Sequence, residues 1–170
     1  MNSPVRLRFI ALSALLAFSA FSADSPYASL WLYNGTWRIT RKDQKPEELV
    51  NRCAQFSKYF SCEQTVNGTV VSLVVYVPSS TPGQYYTQSI LPEGRAGGLG
   101  NLTINGDTWT FTNSWNQGGG TYTYFKTINV FSGKDKIHFE QQESPNRKDW
   151  KTTGSGDEVR VSQGKPTILR

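Results

Sequence analysis

Turn-forming residues recur along most of the chain, and their spacing constrains the fold more than any other feature. From Asn67 to the Gly154–Gly156 triplet, steps such as Asn-Gly, Pro-Gly and Ser-Gly follow one another about every 8–15 residues, the spacing of an all-β sandwich or barrel. The segments between them are rich in β-branched and aromatic residues: 69–77, 84–91, 99–104, 107–112, 121–131, 136–143 and 157–162. We therefore expect these seven segments to be strands.

Several of these segments alternate apolar and polar residues, as strands with one buried face do. Trp109 and Phe111 share one face of their segment, and Ile137 and Phe139 share one face of theirs. The connections are too short for parallel strands, whose crossovers need a dozen or more residues. The sequence therefore predicts a single antiparallel meander with little helix.

Two Asn-Gly steps predict two-residue hairpin turns. Asn67-Gly68 and Asn105-Gly106 each separate two strand-like segments. Asn-Gly accepts the positive φ angles of a type I′ turn, so we place each step at the tip of a hairpin.

The segment Pro46–Phe56 is compatible with either a helix or a strand. Pro46 and the two acids after it are helix-start signals. The strand interpretation, which we favour, makes Ser57-Lys58 a two-residue turn and sets Cys53 opposite Cys62. Such a non-hydrogen-bonded pair has Cα atoms about 4.5 Å apart, within disulfide range. Two cysteines of an exported protein most often form one disulfide, and we predict the Cys53–Cys62 bond.

The N-terminal residues are typical of a secretory signal peptide. Arg6 and Arg8 precede an apolar run at 9–21, and small residues permit cleavage before Ala23. The run is short for a membrane span, although an uncleaved anchor is the alternative. We expect a signal peptide at 1–22, one domain at 23–162 and a loose tail at 163–170. The protein would then be periplasmic or secreted, with no stable membrane anchor after cleavage.

The charge and the scarcity of reactive side chains exclude several functional classes. The formal net charge of +5 falls to +3 without the two leader arginines, and the basic residues are scattered rather than gathered in the stripe of a nucleic-acid reader. Two cysteines and the single histidine, His138, offer no usual Cys/His metal site. We expect no nucleic-acid partner, no metal and no cofactor.

Catalysis is the least favoured function. His138 alternates with Ile137 and Phe139, which places it toward solvent without a nucleophile or orienting partner. Glu140 and Glu143 point to opposite faces of one strand, which does not suit a glycosidase carboxylate pair. An enzyme built at a barrel mouth is the third hypothesis, behind the two binding functions below.

Five motifs resemble a family of uncharacterised exported bacterial proteins with a lipocalin-like (calycin) domain. They are GTW at 35–37, CEQTVNG at 62–68, YYTQSILPEG at 85–94, LTINGDTWTF at 102–111 and NVFSGKDKIHFEQQES at 129–144. The resemblance covers Leu30 to Val161 and implies an up-and-down barrel. Because the Thr-Asp-Tyr motif and a clear C-terminal helix of lipocalins are missing, it allows 8–10 strands. It also implies that Trp37 packs across the closed end of the barrel beneath Arg160.

Aromatic residues supply the candidate ligand site. They are either ordinary core or the lining of an internal pocket. The lead hypothesis is a barrel that binds a small apolar or amphipathic ligand; the alternative is a side-chain-filled barrel that binds an unknown protein partner through its surface and loops. The candidate pocket residues are Tyr76, Tyr86, Trp109, Phe111, Tyr122, Tyr124 and Phe139.

Overall fold

The protein is an all-β domain with one short helical turn. The structure, a computed structural model, describes residues 25–169; the predicted signal peptide lies outside the described residues. A 3₁₀ helix, Ser29–Tyr33, precedes eleven strands. These are β1 (Gly35–Thr40), β2 (Glu47–Gln55), β3 (Phe60–Val66), β4 (Thr69–Pro78), β5 (Gln84–Ile90), β6 (Ala96–Asn105), β7 (Thr108–Gly118), β8 (Thr121–Phe131), β9 (Lys136–Ser144), β10 (Lys151–Gln163) and β11 (Thr167–Ile168). Within this range no helix has both the length and the apolar character needed to cross a membrane.

Ten of these strands close into an antiparallel barrel. Consecutive strands from β2 to β10 pair with one another, and β1 pairs with both β2 and β10. Trp37 lies in this seam, opposite Leu49 of β2 and Arg160 of β10. Closure removes the unpaired strand edges that an open sheet would expose. The predicted meander is confirmed, with the strand count at the upper limit of the expected 8–10.

The ambiguous segment Pro46–Phe56 is a strand. Ser57 and Lys58 form the turn between β2 and β3, and the Phe56 N–H donates a hydrogen bond of 2.8 Å to the carbonyl of Tyr59. Cys53 lies opposite Cys62, with Cα atoms 4.0 Å apart and a disulfide joining them. The predicted register and bond are confirmed, and the bond indicates a protein that resides outside the cytoplasm.

Two turn assignments need correction. Asn105 pairs with Thr108, so the β6–β7 turn consists of Gly106 and Asp107, and only Gly106 adopts a positive φ (57°). The Gly154–Gly156 triplet lies inside β10 rather than in a turn. A Cβ at Gly156 would lie 2.8 Å from the Phe139 ring, so this glycine makes room for a neighbouring aromatic side chain.

The C-terminal segment is attached to the barrel, and the prediction of a loose tail is wrong. Thr167 and Ile168 of β11 pair in parallel with β2. The Asn34 side chain donates a hydrogen bond of 3.1 Å to the Lys165 carbonyl. The alternation of apolar and polar residues does not reveal that this segment is attached, because backbone hydrogen bonds and one buried asparagine, rather than apolar side chains, attach it to the barrel.

Aromatic side chains fill the closed end of the barrel. The Tyr33 ring, at the end of the 3₁₀ helix, lies edge-on to Trp109 at 5.0 Å between ring centroids. Trp109 in turn lies 4.8 Å from Phe131. The Trp37 indole is fully buried and donates a hydrogen bond of 3.0 Å to the Tyr33 carbonyl. The helix and the strands therefore both contribute to one aromatic plug, formed by Tyr33, Trp37, Trp109 and Phe131.

Arg160 covers this plug from the solvent side, as the resemblance implied. Its guanidinium carbon lies 4.0 Å from the centroid of the Trp37 ring system. The same group donates hydrogen bonds to the carbonyls of Leu32 (2.7 Å) and Asn34 (3.2 Å). It also pairs with the carboxylate of Asp135 at 2.9 Å. One planar cation thus ties the helix to β10 and to the β8–β9 loop.

We predict that Arg160→Lys lowers the free energy of unfolding by at least about 2 kcal/mol, because an ammonium cannot stack on Trp37 and donate in several directions at once. Urea denaturation is the measurement. Arg38→Lys, at an exposed position of β1, is the matched control and should change stability by less than about 0.5 kcal/mol. Equal effects of the two substitutions would contradict the proposed role of Arg160.

We predict that reduction of the Cys53–Cys62 bond lowers the free energy of unfolding by about 2–3 kcal/mol, the entropic contribution of a loop this short. Urea unfolding with and without a reductant compares the two states of one sequence. An unchanged midpoint would show that the bond does not constrain the unfolded chain.

Candidate functional site

A cavity of about 420 Å³ lies inside the barrel. Rings and aliphatic side chains form its walls, contributed by Tyr33, Leu49, Val74, Tyr76, Phe111, Phe125 and Phe139. Asn113 and Gln141 also line it and are exposed to solvent, so the cavity opens at their end. Tyr33 and Asn129, which are buried, mark its inner end.

The alternation of side chains along each strand points the cavity-lining residues toward the barrel interior. In β8, Phe125, Thr127 and Asn129 line the cavity, because every second side chain of a strand points to the same face. Phe111 of β7 and Phe139 of β9 are set inward by the same rule. The cavity is therefore a direct product of the strand register.

The structure separates the seven predicted pocket residues into three groups. Tyr76, Phe111 and Phe139 line the cavity. Trp109 points inward but is packed in the closed-end plug and is almost fully buried.

The remaining three predicted residues lie on the outer surface, and their assignment to the pocket is corrected. Tyr86 is 62% exposed, between the inward-facing Tyr85 and Thr87. Tyr122 and Tyr124 occupy the positions of β8 that alternate with the inward Phe125. In a strand rich in aromatic residues, composition alone does not show which face points inward. The sequence therefore could not distinguish these outer rings from rings that line the cavity.

Glu158 places a carboxyl group in the cavity wall. It is 8% exposed and lies opposite Ile39 of β1 and Ile137 of β9. Burial raises its pKa from the ordinary 4.5 to about 7, and the positive charge of Arg41 offsets part of this rise. Its Oε2 atom has no hydrogen-bond partner among residues 25–169.

The sequence pattern around Glu158 is inverted. Its neighbour Val159 is 44% exposed, although alternation by hydrophobicity would bury the valine and expose the acid. Sites where a local rule fails in this way are often functional or strained. The inversion becomes visible only once the exposure of Val159 and the burial of Glu158 are known, so the sequence alone did not identify Glu158 as a site residue.

Asn129 and Tyr33 form a polar pair at the inner end. The Asn129 amide donates a hydrogen bond to the Tyr33 hydroxyl, and the Asn129 Oδ1 has no partner in the described part of the chain. The pKa of Tyr33 is raised well above its usual value by burial, and further by the charges of Glu158 and Tyr76. The phenol therefore stays neutral and can act in hydrogen bonding.

Arg41 adds a cation to the cavity lining. Its guanidinium forms an ion pair with Glu47 and lies 5.3 Å from the centroid of the Phe139 ring. Glu47 lies outside the lining. Together, Arg41, Glu47 and Glu158 carry a net charge of −1 when the Glu158 carboxyl is ionised, and the Arg41 charge still acts on Glu158.

His138 lies outside this site. Its Nδ1 is 2.8 Å from a carboxylate oxygen of Asp157, and both side chains are exposed. Across residues 25–169 there is no group of three or more His, Cys, Asp or Glu residues that could hold a metal ion.

We predict that the wild-type protein loses about 3 kcal/mol of stability between roughly pH 4.5 and pH 7.5, because a carboxyl whose pKa is raised by folding must release its proton inside the cavity as the pH rises. Glu158→Gln should remove this loss and be the more stable protein near pH 8. Urea unfolding across this pH range tests the effect. Glu48→Gln, at an exposed position of β2, should follow the wild-type profile, and a wild-type profile for Glu158→Gln would contradict the prediction.

Comparisons with known proteins support the architecture. No family model matches the chain, and no curated protein matches it. The fold is similar to the crystal structure of Rv2717c from M. tuberculosis, with 14% sequence identity and a TM-score of 0.50. The alignment covers 81% of this chain and 98% of that one. At this identity the likeness shows the fold alone, a closed antiparallel barrel.

Proposed function

We propose that the protein is an exported, lipocalin-like barrel that binds one small amphipathic molecule in its cavity. The observation that carries the proposal is the cavity itself. Its volume of about 420 Å³ falls within the roughly 300–1,000 Å³ of small-molecule sites. It combines ring-lined walls with a few convergent polar groups, as such sites do.

Apolar contact supplies the affinity in this proposal. Phe111 and Phe139 offer ring surface to the body of the ligand, and each buried Å² of apolar surface contributes about 25 cal/mol. Tyr33, Tyr76 and Glu158 then fix the orientation of a polar end. The ligand enters from the Asn113 end, since the opposite end is plugged by Trp37.

Export is the second element of the proposal. The Cys53–Cys62 disulfide supports an oxidising compartment, and the N-terminal pattern of the sequence predicts a signal peptide. Together they support a periplasmic or secreted protein. The alternative function, partner binding around a filled barrel, is disfavoured because it has no use for the cavity.

We predict that the fluorescence of N-phenyl-1-naphthylamine, a small apolar probe, rises when it binds the wild-type protein, and that Val74→Trp abolishes the rise. Val74 lines the cavity, and an indole there occupies the volume that the probe needs. A fluorescence titration measures the effect.

Two variants keep this test interpretable. Val77→Trp places the same side chain at an exposed position of the same strand and should bind the probe as the wild type does. Ser89→Phe narrows the cavity at a second lining residue and serves if Val74→Trp fails to fold. Full binding by a folded, cavity-blocked variant would place the probe elsewhere and overturn the proposal.

A further inference from the structure

Two hydrogen-bond acceptors in the cavity wall lack a donor. Within residues 25–169, four buried side-chain atoms have no partner, and two of them, Glu158 Oε2 and Asn129 Oδ1, belong to residues that line the cavity. Both residues are more than nine-tenths buried. A buried acceptor without a donor destabilises the folded state, and more strongly when it is charged. The wall therefore presents acceptors that a bound molecule can satisfy.

The two acceptors belong to one polar cluster. Asn129 lies opposite Phe139, and Glu158 lies opposite Ile137, two residues away on the same strand. Tyr33 interacts with both residues. Its hydroxyl accepts a hydrogen bond from the Asn129 amide, and the charge of Glu158 raises its pKa. A head group bound at this end of the cavity therefore meets acceptors from two strands, β8 and β10.

We propose that the ligand carries a protonated amine, and that this head group donates to Glu158 and Asn129 while the ligand's apolar body lies between the aromatic walls. The inference rests on the proposed function and specifies its ligand class. It makes Glu158 a specificity-determining residue.

The charges around the cluster favour this class over an acid. The Tyr33 phenol and the Arg41 guanidinium interact electrostatically with Glu158, and the Tyr76 phenol lines the same cavity. The phenols are neutral at physiological pH, and burial raises the pKa of each further above its ordinary value of 10. Arg41 is already paired with Glu47. An ammonium would balance the carboxylate and make a charge-assisted hydrogen bond, whereas a ligand carboxylate would add a second buried negative charge.

Three probes that share an indole body separate the head groups: tryptamine, tryptophol and indole-3-acetate. Isothermal titration calorimetry near pH 8, where Glu158 is largely ionised, should give tryptamine at least about tenfold tighter binding than tryptophol, since a charge-assisted hydrogen bond exceeds a neutral one by about that factor. Indole-3-acetate should bind most weakly. Lowering the pH to about 5 should reduce the preference for tryptamine, because the carboxyl then becomes neutral.

Substitutions assign the preference to Glu158. Glu158→Gln keeps the size of the side chain and should bring tryptamine within about twofold of tryptophol, because the charge is lost while hydrogen bonding remains. Glu158→Asp keeps the charge and should retain part of the preference. Glu48→Gln, on the outer surface, is the matched control and should bind all three probes as the wild type does.

The outcomes distinguish this inference from the proposed function. If ordered water satisfies the two acceptors instead, the three probes bind alike and the inference is overturned while the cavity proposal stands. Tighter binding of indole-3-acetate, or binding of N-phenyl-1-naphthylamine by a protein that binds none of the indoles, has the same consequence. If no probe of either kind binds, both proposals fail.

Discussion

The contact between Arg160 and Trp37 joins the two ends of the barrel wall, and the rest of the structure depends on that seam. Trp37 lies on β1, which pairs with both β2 and β10, and the Arg160 side chain is 6% exposed above the indole. A cation–π contact contributes about 0.5–2 kcal/mol, but this guanidinium also reaches the backbone of the 3₁₀ helix. Gly35, beside the seam, has a φ of 135°, and a Cβ there would lie 2.2 Å from the Ser162 carbonyl oxygen. The close approach of β1 and β10 therefore needs a glycine two residues before Trp37.

The plug that closes one end of the barrel also forms the inner end of the cavity. Tyr33 packs its ring on Trp109 within the plug, while its hydroxyl belongs to the polar cluster of the cavity. Tyr33 therefore takes part both in closing the barrel and in forming the polar end of the cavity. A ten-stranded barrel is wide enough to leave interior space once one end is filled, and the inner polar groups lie where that filling stops.

Much of the fold could be predicted from local rules, and the site only in part. The short turn at Ser57-Lys58 and the facing cysteines fixed the β2–β3 register, because a two-residue turn permits one pairing. Phe111 and Phe139 followed from clean alternation. Tyr86, Tyr122 and Tyr124 were misplaced because their segments carry large apolar side chains on both faces. Asn34, which accepts the Cys53 N–H and donates to Lys165, and the buried Glu158 depend on contacts between residues far apart in sequence, which no local pattern encodes.

A crystal structure of the protein with tryptamine would test the proposal that the barrel interior binds a small amine. We expect electron density for the indole between Phe111 and Phe139, with the amine nitrogen about 2.7–2.9 Å from the Glu158 carboxylate. Density for tryptamine on the outer surface, or a cavity closed by inward movement of the surrounding rings, would contradict it.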